Sequence, residues 1–142
     1  MDLPKSLILE VVTPDRGILT EQVDEVVLPG SEGSFGVLPG HAPLLATLQV
    51  GEMWYRKGQE THYLALAFGF VEVLPDRVTV LAQIAEKAED IDLSRAEAAK
   101  VRAEQRISTS DAQVPLDFER ARIAMMKSLV RLQVASRTRI RS

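Results

Sequence analysis

Two stretches decide the fold: Val78-Thr79-Val80-Leu81-Ala82-Gln83-Ile84 and, shortly after it, Ser94-Arg95-Ala96-Glu97-Ala98-Ala99-Lys100-Val101-Arg102-Ala103. In the first, Val78, Val80, Ala82 and Ile84 alternate with Thr79, Leu81 and Gln83, the period of a strand whose side chains point to opposite faces. In the second, Ala96, Ala99 and Ala103, continued by Ile107, recur at spacings of three and four, the stripe of a helix. The chain changes character near residue 86. Gly and Pro are frequent before that point; after it there is no Gly and a single Pro. The expected architecture is an N-terminal all-β sandwich or flattened barrel over residues 1–86 and a C-terminal antiparallel α-helical hairpin over residues 87–142.

Upstream, the alternation repeats between turn signals. Leu7, Leu9 and Val11 precede Pro14-Asp15-Arg16-Gly17, where Pro presets the bend and Gly admits positive φ. Further runs are Val23 to Leu28, Phe35 to Leu38, Leu44 to Val50 and Met53 to Arg56, the last closed by Lys57-Gly58-Gln59. Tyr63 to Leu74 is the longest. Leu64, Leu66, Phe68 and Phe70 share one face and Ala65, Ala67, Gly69, Val71 and Val73 the other, so this strand is expected to be covered on both sides. Seven or eight short strands with prolines at their ends fit a sandwich.

Downstream, Asp92 is placed to cap a first helix from Ser94 to Ile107. Ser108-Thr109-Ser110-Asp111-Ala112-Gln113 is a polar break, and Val114-Pro115-Leu116-Asp117 restarts the chain with Asp117 as the expected cap. A second helix from Phe118 to about Arg137 carries Phe118, Ala121, Met125, Leu129, Leu132 and Ala135 on one stripe, and would be about 30 Å long. Ala-lined helices approach closely but bury little apolar area, so the hairpin is expected to be weakly held and able to repack on a partner.

Composition closes off several function classes. With no cysteine, thiolate metal sites and cysteine nucleophiles are excluded. The net charge of -3 gives no general attraction to nucleic acid. No apolar run approaches the roughly 18 residues that cross a bilayer, and Met1-Asp2-Leu3-Pro4-Lys5 is unlike a signal peptide, so a cytosolic protein reaching membranes only through a partner is expected. His41 and His62 form no pair at helical metal spacing, and no Ser-His-acid arrangement is suggested; neither a catalytic residue nor a metal site is expected. A free-standing sugar-binding sandwich would call for exposed aromatic platforms, yet there are seven aromatics and several fall in apolar strand runs. Charge is uneven: Arg120, Arg122, Lys127, Arg131, Arg137, Arg139 and Arg141 face no acid between them in sequence, which suits either an anionic partner or a solvated helix.

The segment Gly30-Ser31-Glu32-Gly33-Ser34-Phe35-Gly36-Val37-Leu38-Pro39-Gly40-His41-Ala42-Pro43-Leu44-Leu45 closely resembles the signature of the epsilon subunits of bacterial F-type ATP synthases. The likeness continues through Ala67-Phe68-Gly69-Phe70-Val71-Glu72-Val73, Ile91-Asp92-Leu93-Ser94-Arg95-Ala96 and Asp117-Phe118-Glu119-Arg120-Ala121. It implies a rotor part without its own active site, bound on the cytoplasmic face of the plasma membrane. The implied partners are the gamma subunit, the c-ring and the alpha and beta subunits of the catalytic head. The hairpin would fold down or extend into the head and restrain hydrolysis.

Two sets of residues follow from that resemblance. Glu32, Ser34 and His41 would contact the c-ring from a Gly-rich loop, although some members carry an acid where Ser34 stands. Ile91-Asp92-Leu93-Ser94-Arg95-Ala96 matches an ATP-binding motif of some epsilon subunits, making Glu86, Ile91, Asp92, Arg95, Ala96, Arg102, Lys127 and Arg131 the expected ATP ligands. Arg95 and Arg102 lie two turns apart on one face, Lys127 and Arg131 one turn apart on the other helix, so a closed hairpin would bring four cations to a triphosphate. Members that bind ATP tend to have Arg at the position of Lys127; Lys keeps the charge but loses the planar fork, so weaker binding is expected. No cofactor is obligatory; ATP would be a regulatory ligand.

Overall fold

The computed structural model describes residues 3–109 and 115–140, the side chains of Arg139 and Ile140 excepted. The part of the expected polar break from Ser110 to Gln113 lies outside them, as do Val114, Arg141 and the side chain of Arg139. The chain forms two compact units, Met1–Lys87 and Ala88–Ser142.

The first unit holds β1 (Leu7–Val12), β2 (Gly17–Val23), β3 (Glu25–Gly30), β4 (Gly33–Val37), β5 (Leu44–Leu48), β6 (Gly51–Lys57), β7 (Glu60–Leu74) and β8 (Arg77–Lys87). They pair in the order β2-β1-β8-β7-β5-β3-β4, with β6 bonded to β3 and β7. All these pairs are antiparallel except β1 with β8. The core takes alternate residues from β1, β3 and β6, among them Leu7, Leu9, Val26, Leu28 and Met53, and also Leu64 of β7, all at most 1% exposed.

The run Val23 to Leu28, read as one strand, is two. It breaks at Asp24, whose carboxylate accepts the Gly58 N–H at 2.7 Å while its own N–H donates to the Arg56 carbonyl at 2.8 Å. The additional strand, β2, lies at the end of the pairing order. Ile18, Leu19 and Glu21 are each half-buried there, leaving no clean alternation to read.

β7 departs from the single-face reading in an informative way. Leu64 and Leu66 belong to the core, and so do Val71 and Val73, so the inward parity changes from even to odd within one strand. The change falls at Phe68 (φ 60°) and Gly69 (φ 129°), two successive residues with positive φ. β6 pairs with the strand before this kink and β5 with the strand after it. β8 changes parity opposite it, from Val78, Val80 and Ala82 to Ala85. The sheet thereby turns to enclose its core from both sides. Leu64 to Ala67 are all buried, but beyond the kink Phe70 is 47% exposed, so the expectation that Phe70 shares a covered face with Leu64 and Leu66 is corrected.

In the second unit a short 3₁₀ turn, Ala88–Asp90, leads to α1 (Leu93–Thr109) and α2 (Pro115–Ile140). Asp92 caps α1, its Oδ1 accepting the Arg95 N–H at 3.1 Å. Asp92→Ala should therefore cost about 0.5–2 kcal/mol of hairpin stability. Loss of helical circular dichroism at lower temperature than in the parent chain would record it, whereas an unshifted melt would mean the cap is idle. Asp117 is not a cap: α2 begins two residues earlier at Pro115, where the missing N–H is harmless, and Asp117 sits in the first turn beside the positive helix end. With 26 residues, α2 is about 39 Å long, more than expected.

The helices run antiparallel, since Leu93 lies across from Ser136, Ala103 from Ser128 and Thr109 from Asp117. Buried positions recur every seven residues: Ala96 and Ala103 on α1, Ala121, Ser128 and Ala135 on α2. The stripe expected for α2 is thus rotated. Phe118 and Leu129 are 41% and 44% exposed, while Ser128, absent from that stripe, is 3% exposed. Val134 is also fully buried, next to Ala135. The Ser128 hydroxyl donates to the Ala124 carbonyl at 2.9 Å, which removes the cost of burying it. Outside the seam Arg122 grips both Glu119 oxygens at 2.9 and 3.0 Å. This bond holds the Glu119 carboxyl below its usual pKa; the pair's contribution is present above the normal carboxylate range and is lost as pH falls through the lowered value.

Candidate functional site

Between the helices lies a cleft of about 280 Å³. Its walls are Arg102 and Arg106 from α1 and Lys127 and Arg131 from α2, and its floor includes Ala103 and Ser128. Each cation pair is four residues apart, one turn on the same helix face, about 6 Å along the axis. Small floor residues let the helices close enough for cations of both to reach one ligand. Three expected ligands, Arg102, Lys127 and Arg131, are brought together here.

The fourth cation is Arg106, not Arg95. Arg95 is seven residues before Arg102, about 10 Å further along α1, and does not line the cleft. Arg106 stands one turn beyond Arg102 on the same face, a spacing visible in the sequence. The other expected ligands are placed differently. Ala96 is 0% exposed and Ile91 9%, so their side chains offer almost no surface. One Asp92 oxygen is engaged in the cap. Glu86 belongs to β8 in the first unit, paired across from Ala65.

The segment expected as a single c-ring contact loop is a hairpin and an edge strand. Ser31 and Glu32 form the two-residue tip between β3 and β4, with Gly33 at φ 126°. Ser34 follows on the exposed side of β4, and His41 lies beyond its far end. Five strand residues span about 17 Å, so Glu32 and His41 do not form one patch. Each end has its own ties. Ser31 takes a hydroxyl bond from Thr47 at 2.8 Å, and His41 Nδ1 donates to the Ala42 carbonyl at 2.7 Å. Around His41, Leu38, Leu44 and Leu45 are 55%, 39% and 70% exposed. His62 stacks on buried Tyr55 with ring centroids 5.0 Å apart, which marks it as part of the sheet's packing.

One surface of the first unit was not anticipated. Val12, Leu81 and Phe70 lie side by side across β1, β8 and β7, and with Thr13 and Pro14 they border an open groove of about 580 Å³. The kink at Gly69 creates it by turning Phe70 outward. Among the described residues no helix is long and apolar enough to cross a membrane.

Both units match known family models: residues 6–88 the ATP synthase delta/epsilon chain beta-sandwich domain, and residues 89–136 the ATP synthase delta/epsilon chain long alpha-helix domain. ATP synthase epsilon chain 2 of Syntrophotalea carbinolica is 50% identical over 137 residues, covering 95% of this chain and 97% of that one. The ATP synthase epsilon chain of Syntrophobacter fumaroxidans is 50% identical over 130 residues, covering 92% and 96%. Among solved structures, a chain of the Euglena gracilis mitochondrial ATP synthase (OSCP/F1/c-ring) superimposes with a TM-score of 0.76 at 25% identity, covering 91% of this chain and 82% of that one. With its sandwich and its helical hairpin both matched in order and nearly end to end, this chain belongs to the ATP synthase delta/epsilon chain family, among the epsilon chains.

Proposed function

We propose that this chain is a non-catalytic central-stalk subunit of a proton-translocating F-type ATP synthase. Its sandwich couples a gamma subunit to the c-ring, and its hairpin is a regulatory element that binds ATP when closed and restrains hydrolysis when extended toward the alpha and beta subunits. It is held at the cytoplasmic face of the bacterial plasma membrane through the complex alone. The observation that carries the regulatory part is the cleft lined by Arg102, Arg106, Lys127 and Arg131 between two small-residue helix faces. A closed hairpin gains stability from any ligand that both helices hold together, and that gain follows the ligand's concentration. The apolar groove at Val12, Phe70 and Leu81 and the exposed leucines around His41 supply the sandwich with surfaces for stalk partners.

Calorimetric titration of the full chain with ATP tests the sensor. Binding is expected, and Arg102→Ala should weaken it by about 10- to 100-fold, the loss of a charge-assisted hydrogen bond worth about 1.5–3 kcal/mol. Lys127→Arg should tighten it by restoring the planar fork. Absence of heat at millimolar nucleotide would remove the sensor from this member. Copurification with a tagged chain should bring down gamma and the catalytic head; recovery of the chain alone would sink the stalk role.

A further inference from the structure

At one end of the pairing order β4 bonds to β3 alone, so its far side is an open edge. The register fixes which backbone groups that edge shows. The Pro29 carbonyl accepts the Gln49 N–H at 3.0 Å, on the side of β3 away from β4. In an antiparallel strand a residue's N–H and C=O point the same way, so Pro29 and Ser34, which lie opposite each other, exchange no bond. The polar groups of Ser34 therefore point outward, and those of Gly36, two residues on, do the same. Both residues are exposed, and their side chains are only a hydroxymethyl group and a hydrogen. β4 holds neither a charge nor a proline to blunt the edge. At the other end of the order β2 is guarded: a bulge between Val11 and Val12 interrupts its pairing with β1, and Glu21 is tied to Lys57 at 2.6 Å.

We propose that this edge pairs with the same edge of a second copy, β4 against β4 about a two-fold axis at Phe35. The segment Ser34-Phe35-Gly36 is self-complementary in that register. Ser34 faces Gly36 of the partner subunit, and the outward groups of both are those that exchange bonds. Phe35, half-buried against the core, meets its own image at the non-bonded position, where side chains come closest, and its open side gains an aromatic neighbour. Charge permits the approach: the axis sets Glu32 opposite Leu38 of the partner subunit, so like charges do not meet. A single short edge pair buries less than the roughly 1,200 Å² of a stable complex, so the dimer is weak and forms at high concentration. On the proposed reading of Glu32 and Ser34 as c-ring contacts the same edge is covered in the assembled motor, and the pair belongs to the unassembled chain. The pairing itself stands or falls independently of that reading.

The test is sedimentation equilibrium of the full chain from about 10 μM to about 1 mM. The average mass should climb from 15.7 kDa toward twice that value. Ser34→Pro removes an outward N–H and no bond to β3, so it should hold the mass at the monomer value without moving the thermal melt. Ser34→Ala keeps the backbone groups and should associate like the parent chain. Because the chain has no cysteine, single cysteines read the register in a second way. Mild oxidation should cross-link Phe35→Cys far more readily than Ser34→Cys, since residue 35 alone faces its own copy. The cysteine pair decides the matter if Ser34→Pro does not fold. A chain that stays monomeric to the highest concentration would overturn the proposal. So would association that survives Ser34→Pro in a folded chain, or equal cross-linking of the two cysteine variants.

Discussion

Gly69→Ala is expected to destabilise the sandwich by about 3–5 kcal/mol, a large part of the roughly 5–15 kcal/mol that holds an ordinary domain. Two costs add. Gly69 sits at φ 129°, which L side chains rarely adopt, and a Cβ there would lie 2.1 Å from the Leu81 carbonyl oxygen and 2.8 Å from the Ala82 Cα. Both neighbours are backbone atoms of β8, paired with β7 on either side of the kink, so they cannot swing away as a side chain would. Moving them would disturb the parity change that lets one sheet close over its core. The midpoint of thermal unfolding should fall by roughly 15–30 °C. Gly36→Ala is the control: its Cβ would make only an ordinary 3.7 Å contact with Val27, and the melt should hardly move. Equal melting of Gly69→Ala and the parent chain would overturn this account of how the sheet turns.

The second large effect concerns the assembled enzyme and rests on the proposed function. A chain ending at Lys87 should still enter the stalk, because the first unit has its own core, but hydrolysis by the head should rise severalfold and lose its response to ATP. The physical basis is the weakness of the hairpin seam. Its repeating buried residues are Ala96, Ala103, Ala121, Ser128 and Ala135. An alanine methyl gains about 0.8 kcal/mol on burial, against about 1.5–3 for a leucine. A seam of this kind closes and opens at small cost, as a regulatory arm requires. Ala103→Leu offers a version without truncation: overpacking at a position 1% exposed should cost the closed form about 1–3 kcal/mol and shift the arm toward the open one. Unchanged hydrolysis in the truncated complex would leave the hairpin without an inhibitory role.

Much of this molecule is legible in its sequence. The switch of period near residue 86 separates sheet from helices because alternation and a three-four stripe are direct images of strand and helix geometry. The cap at Asp92 and the turn at Gly58 were also legible, since they depend on residues adjacent in sequence. The candidate cleft was partly so. Arg102, Lys127 and Arg131 border one cleft with Arg106, while Arg95 lies outside it, because spacing along α1 does not say which turn meets which turn of α2.

What the sequence settled by itself, then, is what local backbone preference and hydrophobic period dictate: which stretches are strand and which are helix, apart from β2 and the ends of α2. Three things required the folded chain. The kink at Phe68–Gly69 reverses the inward face of β7, and it arises from the close passage of β8. The α2 seam runs through Ser128 and leaves Leu129 exposed, because the approach of the partner helix selects which face of α2 is covered. Glu32 and His41 are held apart by β4, because pairing with β3 extends a segment that reads as a glycine-rich loop. Each depends on contact between residues distant along the chain, and such contacts leave no period in the sequence to be read.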